Sequence, residues 1–225
     1  TYGTMGSDAL ALAFGFCPEE LRTAVAEDCI RILKQRCGGG LRNGIYGNKY
    51  MIPVMTELGY ADDMLAALFG MEEPSFATMM ANGAGSIWEC IDDKGKWKDY
   101  YGGEASLNHP MHFAFGSWYY THVLGLRPLE EAPGYRKFLV RPTTMAYMGE
   151  VTGSRETPYG TVFVGWKMGY DTFTLRLCVP ANTRAVIELP YTEGRSIILS
   201  NAAPGMPTLH ESLTVLCGNR EIPVK

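Results

Sequence analysis

The chain has 225 residues, 46% of them hydrophobic, which is enough to bury a sizeable core and to fold as two domains. Its formal net charge of −4 gives no reason to expect nucleic acid or an acidic membrane as a partner. The six cysteines lack the paired spacing of a zinc site or a disulfide framework, so no metal is predicted and a reducing compartment is favoured.

No stretch of the sequence reads as a membrane span or as a signal peptide. The first residue is Thr1, not Met, and it lies within a predicted helix, so we expect the native N-terminus to be absent. The localisation is therefore left open between the cytoplasm and the periplasm.

Residues 1–127 read as helices joined by short loops. Apolar residues recur at helical spacing, and Gly59 is placed to end a helix. Helices without intervening strands indicate stacked helical hairpins, and five or six helices are too few to close a barrel, so this half predicts an arc of a larger helical structure. The helices are predicted over residues 4–16, 18–36, 46–58, 61–69 and 110–124, with a short turn at 76–80.

The pattern changes after a short polar linker over residues 127–134. Val162, Val164, Trp166 and Met168 alternate with other residues at the period of a strand, and further short strands are predicted around residues 172–179, 185–189, 197–199 and 213–216. Such strands indicate an antiparallel β-sandwich over residues 128–225. The predicted fold class is α+β and multidomain, with a partial helical barrel followed by the sandwich.

The segment over residues 82–90, Asn-Gly-Ala-Gly-Ser-Ile-Trp-Glu-Cys, is the strongest candidate for chemistry. A glycine-rich turn lets the backbone approach a ligand, and the ring of Trp88 can pack against the apolar face of a pyranose. The carboxylate of Glu89 can then handle a proton or a water. A surface glutamate beside a buried tryptophan explains the same pair without any chemistry.

The chain also carries an ordered set of motifs that resembles the bacterial α-L-rhamnosidases of glycoside hydrolase family 78. The motifs lie at residues 46–50, 73–76, 83–89, 106–109, 132–135, 141–142 and 157–160, and so cover nearly the whole chain. The resemblance implies the C-terminal part of an (α/α) six-hairpin barrel, followed by the C-terminal β-sandwich domain.

The resemblance also implies roles for residues. In the family, the Glu of the Trp-Glu motif is thought to be the general base of an inverting hydrolysis, and it maps onto Glu89. The histidine after Ser-Leu-Asn contacts a sugar hydroxyl, and it maps onto His109. Trp88 is expected to stack on the substrate and Trp97 to lie at the rim of the sugar site. The implied partner is a rhamnose-containing glycoside or oligosaccharide, with no cofactor.

Two departures from the family pattern limit this reading. The family's general acid lies in an acidic motif well upstream, and neither Asp62-Asp63 nor Asp92-Asp93 matches it. Cys90 stands where the family usually carries arginine. The expectation is a C-terminal portion of a longer enzyme, or a truncated homologue, which is inactive alone and forms a homodimer through exposed helices.

Two other functions remain open from the sequence. The first is a hydrolase or lyase on an (α/α) barrel that acts on another sugar, and the second is a non-catalytic carbohydrate-binding or scaffold protein. Outside the motifs, Trp97 is as well explained by a loop side chain that folds onto its own domain. His112 and His122 read as structural histidines, because their spacing gives no metal-binding face.

Overall fold

The computed structural model describes residues 3–36, 43–71, 74–92, 94–98, 102, 105–190, 214–217 and 220–223. The chain divides into two compact units, Thr1–Ser117 and Trp118–Lys225. The predicted boundary after residue 127 falls within a strand, Leu126–Pro128, and the domain ranges 1–127 and 128–225 stay a prediction.

The first unit is helical. Short 3-10 segments at Glu19–Leu21 and Pro110–Phe113 accompany the α-helices. Within this unit α1 packs against α2 and α3, α3 packs against α4, and the Pro110–Phe113 turn packs against α3. The described α-helices are α1 (Met5–Ala13), α2 (Arg22–Arg36), α3 (Gly44–Glu57), α4 (Ala61–Phe69) and α5 (Phe76–Ala81).

Local sequence signals explain several of the helix ends. The hydroxyl of Ser75 accepts a hydrogen bond from the N–H of Thr78, while the Thr78 hydroxyl accepts from the N–H of Ser75, which forms a capping box at the start of α5. Gly59 has a φ of 95°, a conformation that favours glycine, and it follows α3 directly. The helices predicted over residues 4–16, 46–58 and 61–69 are confirmed within a few residues, whereas the short turn predicted at 76–80 is a helix, α5.

The single helix predicted over residues 110–124 is wrong. The chain instead forms the Pro110–Phe113 3-10 segment, a turn, and a π-helical segment at Tyr119–Val123. Gly116 and a run of aromatic residues give this stretch a low helix propensity. The N–H of Gly116 bonds the carbonyl of Phe113, 2.8 Å away and three residues back, which replaces the regular α-helical pattern.

The second unit is built from strands in two sheets. One sheet has the order β1-β2-β6-β7-β8, and the other has the order β3-β4-β5. The three-stranded sheet is fully antiparallel, whereas β6 pairs in parallel with both β2 and β7. The strands are β1 (Leu126–Pro128), β2 (Lys137–Val140), β3 (Glu150–Thr157), β4 (Gly160–Met168), β5 (Phe173–Cys178), β6 (Arg184–Glu188), β7 (Thr214–Cys217) and β8 (Arg220–Pro223).

Side chains from both sheets meet in one apolar core, as a two-layer sandwich requires. Phe138 and Val140 come from β2, Val162 and Val164 from β4, and Ile187 from β6. The α+β class with a sheet-rich second unit is thereby confirmed. Met168 continues the alternation of Val162, Val164 and Trp166 but is exposed, because it lies at the end of β4. The strand predicted at residues 197–199 lies outside the described residues.

Among the described residues, no helix is long and apolar enough to cross a membrane. The predicted homodimer through exposed helices stays a prediction. Phe14, Phe16 and Tyr46 are exposed aromatic side chains of the helical unit that such an interface could use.

Candidate active site

The Trp-Glu and Ser-Leu-Asn-His motifs lie side by side in the helical unit. The N–H of Glu89 donates to the carbonyl of Ser106 at 2.8 Å, and the N–H of His109 donates to the carbonyl of Ile87 at 2.6 Å. The hydroxyl of Ser86 adds a hydrogen bond to Asn108 Oδ1 at 2.7 Å. These bonds fix two irregular segments against each other, so the two motifs are neighbours in the structure.

The Glu89 carboxylate is held through one of its two oxygens. Oε2 accepts a hydrogen bond from the N–H of Ser106 at 2.8 Å and lies 3.8 Å from Nδ1 of His109. Oε1 has no hydrogen-bond partner in the described part of the chain. The side chain is 26% exposed, so a reactant can reach it. A carboxylate with one anchored oxygen and one available oxygen can accept a proton in a fixed direction.

A cavity of about 50 Å³ opens beside Glu89. Its walls include the polar side chains of Asn48 and His112 and the apolar side chains of Phe76 and Trp88. Such a volume exceeds the roughly 10–15 Å³ that one water needs, but it is far below the ~300–1,000 Å³ of typical ligand pockets. The cavity within this chain is therefore the size of a small water site.

The two predicted tryptophans are placed differently. Trp88 is half-buried and lines the cavity, and its backbone N–H donates to Sδ of Met79, 3.3 Å away. Trp97 is 39% exposed and faces Ile91 across an isolated β-bridge, outside the cavity wall. The structure thus brings Trp88, Glu89 and His109 together, and leaves Trp97 in the neighbouring turn. Their roles in substrate binding stay predictions.

The turn that carries Trp97 is organised by Asp92. Oδ1 of Asp92 accepts hydrogen bonds from the N–H groups of Lys94 and Lys96 at 2.8 and 2.9 Å. Hydrogen bonds from the backbone N–H of Lys96 and then of Lys94 hold the pKa of this carboxyl below its usual value. Asp92 is therefore explained by the shape of the turn.

His112 lines the cavity, although the sequence had indicated a structural histidine. Its ring lies 5.1 Å from the ring of His109, centroid to centroid, since the two residues are three apart at one 3-10 turn. Burial is the largest cause that lowers the pKa of His112, and the neighbouring His109 is the second. The backbone and the charge of Glu89 act in the opposite direction but are outweighed. The spacing of three residues from His109 was the sequence signal that could have placed His112 in the site.

Asn48 is a second residue that sequence reasoning missed as part of the site. It lies on α3, which packs against the Pro110–Phe113 turn. Its side chain is buried and lines the cavity. By contrast, His122 is buried in the other unit, where its Nδ1 lies 2.8 Å from the hydroxyl of Thr121, in keeping with a structural histidine.

Stacked helices, a carboxylate with a histidine and a tryptophan in loops, and a sheet-rich second unit are the parts of a carbohydrate-cleaving enzyme. Residues 1–123 match the model of the bacterial α-L-rhamnosidase six-hairpin glycosidase domain, and residues 125–202 match that of the bacterial α-L-rhamnosidase C-terminal domain. The chain belongs to the bacterial α-L-rhamnosidase family.

Individual relatives agree with this assignment. An α-L-rhamnosidase of Formosa agariphila is 31% identical over 88% of this chain, and one of an Alteromonas species is 31% identical over 78% of it. The solved structure of an α-L-rhamnosidase of Streptomyces avermitilis, complexed with L-rhamnose, superimposes with a TM-score of 0.71 at 25% identity over 80% of the chain and 17% of that structure. The chain spans about a fifth of the length of the two sequence relatives, 21% and 19%.

Proposed function

We propose that this chain is the C-terminal portion of an inverting glycoside hydrolase that releases terminal α-L-rhamnose from glycosides or oligosaccharides. In this proposal Glu89 is the general base. The observation that carries it is the arrangement of the carboxylate: the N–H of Ser106 holds Oε2, with Nδ1 of His109 3.8 Å away, while Oε1 is available beside a water-sized cavity. The substrate class is supported by the names of the relatives, all of them α-L-rhamnosidases.

The reaction requires two carboxyl groups on opposite faces of the sugar. Glu89 takes a proton from a water as the water oxygen bonds to the anomeric carbon, and an acid protonates the leaving oxygen as the glycosidic bond breaks. In an inverting enzyme the two carboxyl groups lie roughly 6.5–9.5 Å apart, which leaves room for the water. Among the described residues that line the cavity, Glu89 is the only acidic one.

We propose that the general acid lies upstream of these 225 residues in the longer enzyme, where the family resemblance puts the acidic motif. The chain spans about a fifth of the length of these relatives, which leaves ample sequence elsewhere in such an enzyme for the acid. His109 is proposed to contact a sugar hydroxyl, and Trp88 to pack against the pyranose. Trp97 would contact the substrate only at the rim, from the turn beside the site.

The test uses the full-length polypeptide that contains this chain, assayed against a panel of chromogenic glycosides. We expect turnover of α-L-rhamnosides, with β-L-rhamnose as the first product in a proton NMR time course, and no turnover by the 225-residue chain alone. Retention of configuration would contradict the inverting mechanism, and cleavage of another sugar would overturn the substrate assignment. Sugar binding without turnover by the full-length polypeptide would indicate a carbohydrate-binding protein.

A further inference from the structure

The carboxamide of Asn48 is the least explained polar group in the cavity. Asn48 is 3% exposed, and its Oδ1 is buried without a hydrogen-bond partner among the described residues. Native proteins rarely bury a polar atom in this way, and each such atom calls for an explanation, such as a ligand, an ion or an ordered water. The position of Asn48 in the wall of the Glu89 cavity supplies one.

The cavity offers few polar groups other than Asn48 and Glu89. The Ser75 hydroxyl also lines it, but this hydroxyl already bonds the carbonyl of Gly70 at 2.6 Å and the N–H of Thr78 at 3.2 Å. His112 also lies in the cavity wall, and a neutral imidazole carries one donor and one acceptor nitrogen. Oδ1 of Asn48 and Oε1 of Glu89 are two acceptors on residues of this cavity wall that have no hydrogen-bond partner among the described residues.

Two acceptors suit a water molecule in a specific way. A water has two O–H bonds, and it can donate one to each oxygen. With both hydrogens engaged, a lone pair of the water oxygen is left to point away from the two acceptors. A water held like this is oriented for attack, and fixing a reactant in its attacking geometry is a large source of rate enhancement.

We propose that Asn48 positions the water that Glu89 deprotonates. The inference rests on the proposed function. One proton of the water passes to Glu89 while the water oxygen bonds to the anomeric carbon. The other hydrogen stays on that oxygen, bonded to Asn48 Oδ1, and becomes the hydroxyl hydrogen of the product. The leaving oxygen takes its proton from the general acid, so atoms and charges balance.

A sugar hydroxyl is the other O–H group that Asn48 could bind. The cavity volume favours water, because about 50 Å³ accommodates a water but not a pyranose ring. A water and a sugar hydroxyl bound to Asn48 predict different kinetics for its variants. Loss of a water-positioning group lowers kcat and leaves sugar affinity unchanged, whereas loss of a sugar-binding group weakens affinity as well.

The experiment compares Asn48→Thr with Asn48→Val in the full-length polypeptide. The two side chains have the same shape and differ in one hydroxyl, which can accept a hydrogen bond. We expect the valine variant to lose roughly 10–100-fold in kcat, an effect of the size that misplaced reactants produce, and the threonine variant to stay within about 5-fold of the wild type. The Kd for L-rhamnose, measured by calorimetry, should change less than about 2-fold in both.

Equal turnover of the two variants would overturn the proposal. A rhamnose affinity that weakens in parallel with kcat/KM in the valine variant would also overturn it, and would assign Asn48 to a sugar hydroxyl. Melting temperatures of the pair control for folding. If both fail to fold, the smaller pair Asn48→Ser and Asn48→Ala repeats the comparison. An inactive wild type would instead refute the proposed function, which keeps the two failures distinguishable.

Discussion

The core of the sheet-rich unit and the region around Glu89 are stabilised in different ways. In the sheet-rich unit, apolar side chains such as Phe138 and Val164 project from regular strands into a core between two sheets. In the helical unit, the region around Glu89 has no regular element. It is held by hydrogen bonds between backbone and side chains, such as those that join Glu89 to Ser106.

This difference explains why we propose that the chemistry lies in the helical unit. Regular strands use their backbone groups in the ladder and their side chains in the core, so little remains for a ligand. Irregular segments that are supported by helices can instead direct carboxylate, imidazole and amide groups into one cavity. Changes in the sheet core should therefore alter stability most, and changes around Glu89 should alter activity most.

The largest stability effect is expected from Phe138→Ala. The Phe138 side chain is fully buried between the sheets, and its truncation removes apolar contacts and leaves a cavity. We expect a loss of about 3–5 kcal/mol in the free energy of unfolding, measured by denaturant titration. Tyr170→Ala, at a fully exposed position, is the control and should change stability by less than about 0.5 kcal/mol. Similar losses of unfolding free energy for both variants would show that packing between the two sheets does not determine the stability of this unit.

A smaller effect should come from the turn beside the site. A Cβ at Gly95 would lie 2.6 Å from Cβ of Thr78 in α5, whereas a Cβ at Gly83 would meet nothing within 4 Å. Both glycines have positive φ, so alanine at either one costs about 1–2 kcal/mol. Gly95→Ala should lose about 1–3 kcal/mol more than Gly83→Ala, because its methyl group overpacks. Equal melting temperatures would show that this turn is not fixed against α5.

The smallest effect concerns the acid sensitivity of the helical unit. Burial lowers the pKa of His112 below the usual value of 6.5, so the folded state favours the neutral ring. Its contribution to stability is present above about pH 6.5 and is lost as the pH falls from there through the lower pKa of the folded state, because the unfolded state binds more protons in that range.

The variant His112→Gln should remove that contribution. Thermal unfolding at pH 7 and pH 5 should show a smaller decrease in melting temperature for the variant than for the wild type. The same decrease in both proteins would mean that the protonation of His112 is not coupled to folding.

The sequence predicts a structure best where one local signal decides it. The helix at Ala61–Phe69 follows from its apolar spacing and from Gly59 before it, and it is confirmed. Strand β3 was missed, because Glu150–Thr157 is mostly polar and becomes a strand through its pairing with β4. Strand β1 was missed because it lies within the predicted linker and pairs with β2, which is distant in sequence.

The candidate site shows the same division. The proximity of Glu89 and His109 could be predicted, since both belong to motifs that can be read locally. Asn48 could not be placed there, because its position depends on how α3 packs against the Pro110–Phe113 turn. The burial of its Oδ1 is a property of the folded chain, and no pattern of residues reveals it.

The central claim is that Glu89 acts as a base rather than as a ligand for the sugar. Its most direct test is Glu89→Gln in the full-length polypeptide, because Gln retains the shape of the side chain and an oxygen for the Ser106 N–H but cannot take a proton from water. We predict that kcat falls by at least ~10²–10⁴-fold while the Kd for L-rhamnose changes less than about 2-fold. Near-normal turnover, or a loss of rhamnose affinity as large as the loss of turnover, would contradict the claim.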